Sequence, residues 1–423
     1  MTAASESPAA SDAGQVFHDP RKSAYLNPDG ADKPLISTIG DDVLDRARRY
    51  RLGRIRDQIT QHGYAGMLLY DPVNIRYALD SSNMAIWTMH DPVRYALIVA
   101  DGPVIMFESD GALHVSEGLP TVDDVRLATT WMFLTAGNAA KRNVETWAVE
   151  IREALGTGRC TLAVDRLEHP GVQALANLGV GVVDAGPLTE RARAIKSADE
   201  LELMRWTIRV CEAGMARVYE VSEPGRTEQE IWAELHYENA RSGGEYIETK
   251  LLTAGPNTNP WFKECSSRKV QRGEIIAFDT DMVGPYGYLA DLSRSWTCGH
   301  VPMTPKQREL YADAREQIDH NMALLRPGLE FTEFNARSWQ IPEKYIPYRY
   351  TCAVHGSGMA DEWPFIGLHP DFDPSYGGCF EENMVINVES LIAEKGSESI
   401  KLETQVLLTA NGAERLDTFP WED

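Results

Sequence analysis

Two segments of this chain are apolar enough to form buried strands, yet they carry acidic residues where a buried strand does not tolerate them unaided. The first runs Glu274-Ile-Ile-Ala-Phe-Asp279-Thr-Asp281-Met-Val, turns at Gly284-Pro-Tyr-Gly287 and returns through Leu289-Ala-Asp291-Leu-Ser-Arg-Ser-Trp296. Asp279 and Asp281 are two residues apart, so they share one face of the outgoing strand. Symmetric pairing about the turn sets Asp291 opposite Thr280, on the other face. A one-residue offset or a bulge brings it beside Asp279 or Asp281 instead, and the sequence leaves both registers open. The second segment pairs Met384-Val-Ile-Asn-Val-Glu389-Ser-Leu-Ile392 with Ile400-Lys-Leu-Glu403-Thr-Gln-Val-Leu-Leu408 around a polar turn containing Gly396. Glu389 and Glu403 each lie seven residues from Gly396, so simple antiparallel pairing sets them directly opposite each other. Like charges facing each other across a strand pair destabilise it unless something neutralises them, and an unpaired buried charge costs several kcal/mol.

A divalent cation would neutralise both hairpins. Between them, Tyr350-Thr-Cys-Ala-Val-His355-Gly-Ser-Gly-Met-Ala-Asp361-Glu-Trp-Pro364 supplies one histidine in a glycine-rich stretch. Carboxylates with a single imidazole suit hard or borderline cations such as manganese, iron, cobalt or zinc. Bridging carboxylates hold two such ions about 3.5–4 Å apart. The candidate ligands are therefore Asp279, Asp281, Asp291, His355, Glu389 and Glu403, with Asp281 the least secure because an acid so close to Asp279 can act behind it.

The rest of the composition excludes rather than assigns. Lys and Arg total 41 against 63 Asp and Glu, a formal charge of −22. That balance lacks the cationic footprint of a nucleic-acid or anionic-membrane binder. No run of about eighteen apolar residues is present to span a membrane. The six cysteines are scattered without C-x-x-C spacing, which argues against a thiol metal site and a disulfide scaffold. Residues 1–14 lack the basic then apolar pattern of a secretory leader. The expected setting is cytoplasmic.

Three regions are expected. Residues 1–40 read as an irregular arm punctuated by Pro20, Pro28, Gly30 and Pro34. Residues 41–187 alternate helical and strand patterns, with strands around 66–70, 95–100, 104–107, 162–165 and 181–184, and read as a small α/β domain. Residues 188–423 read as α+β, with helices ahead of an antiparallel sheet. Ser197 with Glu200 and Thr227 with Glu230 form capping-box signatures, and a further helix is expected to start at Thr304-Pro305.

The order Asp, Asp, His, Glu, Glu on two hairpins resembles the pita-bread superfamily of methionine aminopeptidases, prolidases and creatinase. The stretch Arg193-Ala-Ile-Lys-Ser-Ala-Asp-Glu200 resembles the entry to that catalytic domain, and the preceding α/β domain resembles the creatinase-type N-terminal domain. Two features depart from the peptidases. Their aspartates are eleven residues apart, whereas Asp291 lies twelve from Asp279 and ten from Asp281. Their helper histidines are missing from the corresponding segments, Ala254 to Phe262 and Met359 to Trp363.

Phe278-Asp-Thr-Asp281, Asp291-Leu-Ser-Arg-Ser-Trp296, the segment from Tyr350 to Pro364 and Ser399-Ile-Lys-Leu-Glu-Thr-Gln-Val-Leu407 resemble the DddP-type dimethylsulfoniopropionate lyases. Asp71-Pro-Val-Asn-Ile-Arg-Tyr-Ala78, Ser82-Asn-Met-Ala-Ile-Trp87 and Glu245-Tyr-Ile-Glu-Thr-Lys-Leu251 resemble the same branch. The resemblance implies a homodimeric carbon–sulfur lyase with two divalent ions, usually iron, on the six ligands named above; manganese, zinc, cobalt and nickel are the alternatives. It places the catalytic aspartate at Asp361 and substrate aromatics at Tyr350 and Trp87. The implied substrate is a sulfonium zwitterion. Sulfonium cannot hydrogen-bond, so aromatic faces are its natural receptor, which adds Trp261 and Trp363 as candidates. The competing expectations are an Xaa-Pro peptidase or creatinase-like hydrolase, and a non-catalytic pita-bread binding module.

Overall fold

The structure is a computed structural model and describes residues 19–30, 32–158 and 160–422. Residues 1–18 and 31 of the expected N-terminal arm lie outside the described residues; within the remainder, Pro20–Ser23 forms one short helical turn. Asp41–Gln61 is the first long helix, with Asp41 and Asp42 in its first turn, where carboxylates favour the helix dipole. Six strands follow: β1 (Gly66–Leu69), β2 (Tyr95–Val99), β3 (Val104–Glu108), β4 (Asp124–Leu127), β5 (Cys160–Val164) and β6 (Val180–Asp184). They form one mixed sheet in the order β4-β3-β2-β1-β5-β6. The period-two side-chain alternation splits its residues between two cores. Leu68, Tyr95, Leu97, Phe107 and Leu162 pack with Trp147, Ile151 and Leu175, which stand on Ala140–Leu155 and His169–Asn177. Met67, Leu69, Ala96, Ile98 and Ala163 pack on the other face with Ile55, Ile59, Ile75 and Leu79.

The helix Pro72–Leu79 was not legible as a helix in the sequence. Asp71 caps it by accepting from the Val73 amide, and Pro72 occupies its first turn. Trp87 stands on the next short helix, Ala85–His90.

From residue 198 onward, long helices precede and flank sheets. Ala198–Glu220 and Glu228–Arg241 both begin in complete capping boxes, Ser197 with Glu200 and Thr227 with Glu230. Pro305–Leu324 begins in a third, Thr304 with Gln307. The remaining strands are β7 (Tyr246–Ile247), β8 (Leu252–Ala254), β9 (Ile275–Asp279), β10 (Met282–Val283), β11 (Leu289–Ala290), β12 (Ser293–Thr297), β13 (Cys352–Ser357), β14 (Asp361–Gly367), β15 (Val385–Ile392), β16 (Ile400–Thr409) and β17 (Gly412–Arg415). They form a five-stranded sheet, β14-β13-β15-β16-β17, and two three-stranded sheets, β12-β9-β8 and β11-β10-β7.

The five-stranded sheet has two unlike faces. Ile386, Val388, Ile392, Ile400, Leu402 and Val406 pack with Leu310, Tyr311, Ala314 and Ile318 of the helix Pro305–Leu324. The alternate residues Asn387, Glu389, Lys401, Glu403 and Gln405 are polar and also buried. They face the aspartate hairpin: Asn387 Nδ2 donates to the Asp291 carbonyl at 3.1 Å, and Lys401 Nζ donates to Ser293 Oγ at 2.8 Å. The two hairpins therefore close on each other through polar side chains, and the site lies between them.

Candidate metal centre

The register of the first hairpin resolves the alternative left open by the sequence. β9 pairs with β12 through Ser293 opposite Asp279, and β10 pairs with β11 through Met282 opposite Ala290. Continuing either ladder inward sets Asp281 opposite Asp291, one residue away from the symmetric pairing. Asp281 itself breaks the strand, with φ at +37°, and its carboxylate is held by the Thr249 hydroxyl. Ligand atoms of Asp279, Asp281 and Asp291 all lie within 4.8 Å of one another.

The second hairpin pairs Glu389 directly with Glu403. His355 on β13 points at the same place: its Nε2 lies 3.6 Å from Asp291, 3.5 Å from Glu389 and 3.4 Å from Glu403. Asp291, His355 and Glu403 form a second group of ligand atoms within 4.8 Å. Asp291 belongs to both groups, so its carboxylate would be available to an ion held by either.

Lys401, absent from the candidate list above, is the strongest local cation. It is fully buried, and its Nζ lies 2.5 Å from Glu389, 3.1 Å from Glu403 and 3.1 Å from Asp279. Ser293 Oγ sits 2.7 Å from Asp279 and 2.8 Å from Glu403, and Asn387 Nδ2 donates to Glu403 at 2.7 Å. Against the cost of its burial, Lys401 and His355 hold the Glu403 carboxyl well below the usual carboxylate range. The other acids go the opposite way. Burial, with repulsion from neighbouring carboxylates, pushes Asp281 and Asp291 well up and Glu389 to about 7.

Asp279, Asp281, Asp291, His355 and Glu389 open into a cavity of about 290 Å³ that Thr249, Tyr350, Phe262, Phe365 and Asp361 also line. Asp361 begins β14, with its side chain 58% exposed and its Oδ1 3.3 Å from His355 Nδ1. A larger cavity of about 670 Å³ lies in the N-terminal sheet domain under Tyr70, Trp131 and Phe133, and it contains neither ligand group.

Residues 202–410 match the model of metallopeptidase family M24. The dimethylsulfoniopropionate lyase DddP of Roseobacter denitrificans is 39% identical over 396 residues, spanning 90% of this chain and 88% of that protein. The chain belongs to the DddP family of lyases. The DddP of Roseovarius nubinhibens is 38% identical over 90% of this chain and 87% of its own. The Xaa-Pro dipeptidase of Pyrococcus furiosus is more distant, 26% identical over 53% of this chain and 63% of its own. Among solved structures, a prolidase from Thermococcus sibiricus superposes with a TM-score of 0.73 at 19% identity, covering 89% of this chain and 98% of that one. That likeness establishes the prolidase-type architecture, an N-terminal α/β domain followed by a pita-bread domain.

For a DddP-family chain the donor set fits a dinuclear divalent centre. Asp279, Asp281, Asp291, Glu389 and Glu403 carry five negative charges, and Lys401 supplies one positive charge. Two divalent ions would supply the other four. Asp291 Oδ1 is buried with no hydrogen-bond partner among the protein groups, a lone pair oriented to accept a cation.

The expected substrate aromatics separate in the fold. Tyr350 lines the cavity. Trp261 is only 8% exposed and belongs to the core beneath the five-stranded sheet. Trp363 packs edge-on against Phe331, centroids 5.2 Å apart. Trp87 is 41% exposed on the N-terminal domain and does not line the cavity of its own chain. Phe262 and Phe365, which the sequence reading did not single out, line the cavity beside Tyr350.

Lys401 yields a prediction with a definite sign. Lys401→Met leaves three carboxylates without their cation, and removing one partner of a buried ion pair costs about 3–5 kcal/mol. Bound divalent ions would leave only one of the five carboxylate charges to the lysine, against all five without them. The substitution should therefore lower the melting temperature of chelator-treated protein more than that of metal-loaded protein. Equal losses in calorimetry would mean that Lys401 does not share the work of neutralisation with the metal.

Proposed function

We propose that this protein is a metal-dependent lyase that cleaves dimethylsulfoniopropionate to dimethyl sulfide and acrylate. The observation that carries this reading is Asp361: an acid opening into a cavity lined by Asp279, Asp281, Asp291, His355 and Glu389 and by an aromatic wall, in a chain 39% identical to a lyase of that name. Asp361 takes a proton from the α-carbon. The electrons of that C–H bond form the new double bond, and the β-carbon–sulfur pair leaves with dimethyl sulfide. When bound, the metal ions hold the substrate carboxylate and acidify its α-carbon as Lewis acids. Aspartate is a weak base at its reference pKa near 3.9. Although its side chain stays more than half exposed, partial desolvation against the cavity wall raises the Asp361 carboxyl above its ordinary value, outweighing the lowering effect of His355 beside it, and brings it nearer the range useful for a general base.

The finer assignments belong to the same proposal. The six ligands are Asp279, Asp281, Asp291, His355, Glu389 and Glu403, and the metal is iron. The division at residue 187 separates a creatinase-type domain from the catalytic one. The chain works as a homodimer: Met84, Ile86 and Trp87 expose 58%, 49% and 41% of their surface on one short stretch, an apolar ridge suited to a second copy. Through that contact Trp87 would reach a substrate site. The compartment is the cytoplasm. Among the described residues no helix is long and apolar enough to cross a membrane, and the cysteines are unpaired.

The test is direct. Purified protein with metal content verified is given dimethylsulfoniopropionate and, in parallel, Xaa-Pro dipeptides. Dimethyl sulfide in the headspace with no dipeptide cleavage is expected. Silence at millimolar sulfonium with metal bound would refute the lyase reading.

A further inference from the structure

Two large apolar rings are exposed at the mouth of the carboxylate cavity. Phe262 is 59% exposed and Phe365 is 49% exposed, and both line the carboxylate cavity. Each is held there by local structure. Phe262 adopts φ of +70°, a conformation that costs a non-glycine residue free energy and persists where surrounding structure imposes it. Its ring lies 5.4 Å from that of Tyr350, inclined by 31°, so the two form one continuous aromatic surface. Phe365 stands on β14 opposite His355, four residues after Asp361. Side chains on a strand alternate, so Phe365 and Asp361 share one face while Glu362, Pro364 and Ile366 point into the protein.

Exposed aromatic faces beside carboxylates have a specific chemical meaning. An alkylated onium group presents methyl groups bearing positive charge and no hydrogen-bond donor. It is held by aromatic quadrupoles and by nearby acids, here Asp361 and Glu264. We infer that Phe262 and Phe365, with Tyr350, form an onium-selective wall, and that the cavity binds quaternary-ammonium carboxylates as ligands it does not cleave. This inference rests on the lyase reading for where the ligand carboxylate sits. A trialkylamine leaves from carbon far less readily than a dialkyl sulfide, so such a ligand blocks the site without turnover.

The experiment compares two ligands by calorimetric titration into metal-loaded protein. One is β-alanine betaine, the trimethylammonium analogue of the sulfonium substrate. The other is its tert-butyl isostere, in which carbon replaces nitrogen; shape and carboxylate are kept and the onium charge is lost. Wild-type protein should prefer the betaine, and the betaine should compete with dimethylsulfoniopropionate for release of dimethyl sulfide. Phe262→Leu and Phe365→Leu should each reduce the preference by about 2- to 30-fold, the range of one cation–π contact, with affinity for the isostere little changed. Phe262→Tyr should retain it. Equal binding of the two ligands to wild-type protein overturns the inference. So does an unchanged preference in both leucine variants, including the case where they only weaken a dimer seen by sedimentation. If no sulfide is released from dimethylsulfoniopropionate yet the betaine preference holds and depends on Phe262, the lyase reading falls and the onium wall stands. Sulfide release without any cation preference overturns the wall alone.

Discussion

Asp361→Asn should reduce dimethyl sulfide release by about 10²- to 10⁴-fold, the usual contribution of a positioned general base, while the protein keeps its full metal content. The substitution preserves size and shape and removes the ability to accept the α-proton, together with one negative charge beside His355. The surroundings favour so clean an outcome. The next residue, Glu362, is buried and ion-paired to Lys196 at 2.7 Å and Arg193 at 3.1 Å, and it accepts from the Met359 amide at 3.1 Å. Those contacts fix the start of β14 independently of what residue 361 carries. Asp361 also stands outside both ligand groups. Elemental analysis alongside headspace chromatography checks both halves of the prediction. Loss of metal in Asp361→Asn would make the residue a ligand instead of a base, and near-normal turnover would remove it from the chemistry.

The same residue shows which parts of the site were legible beforehand. Strand periodicity is a strong constraint, so Glu389 and Glu403 fall opposite each other by counting from Gly396, as the register places them. Capping boxes are equally local, and Ser197 and Thr227 start their helices where the sequence puts them. Lys401 was within reach of the same rule. It lies two residues before Glu403 and must share its face, yet a lysine inside an apolar run has several readings until its three carboxylate partners are in view. The aspartate hairpin was harder, because the backbone at Asp281 leaves the strand conformation and no pattern of residue types announces that break.

Which aromatic side chains line the cavity was hard to read from sequence for a related reason. Trp261 and Phe262 are neighbours in a loop without periodicity, and the structure turns the first into the core and the second into the cavity. Trp363 and Phe365 share a strand face, but Phe331 and the backbone at Gly378 claim the tryptophan. Tertiary contacts decide both cases, and residue type alone carries no information about them.

Stripping the metal should lower thermal stability as well as activity, and the size of the loss should depend on pH. A ligand that binds only the folded state at a hundred to a thousand times its dissociation constant contributes about 2.7–4.1 kcal/mol. For a domain of this size that is on the order of 5–15 °C in melting temperature. The pH dependence follows from Glu389, whose carboxyl burial and the facing Glu403 push from 4.5 up to about 7. A raised folded-state pKa means that the metal-free protein binds this proton more tightly folded than unfolded. Its stability therefore falls as pH rises from about 4.5 towards 7. Glu403 is shifted the other way, so its contribution is lost only as pH falls below the ordinary carboxylate range, outside this window. Divalent ions bind the deprotonated carboxylates and take the place of that proton. The gap between metal-loaded and chelated melting temperatures should thus widen steadily between about pH 5 and pH 7, as measured by scanning calorimetry at fixed free metal. A gap that stays constant across this range would mean that Glu389 does not exchange a proton for the metal, and an absent gap would uncouple the two facing hairpins from metal binding altogether.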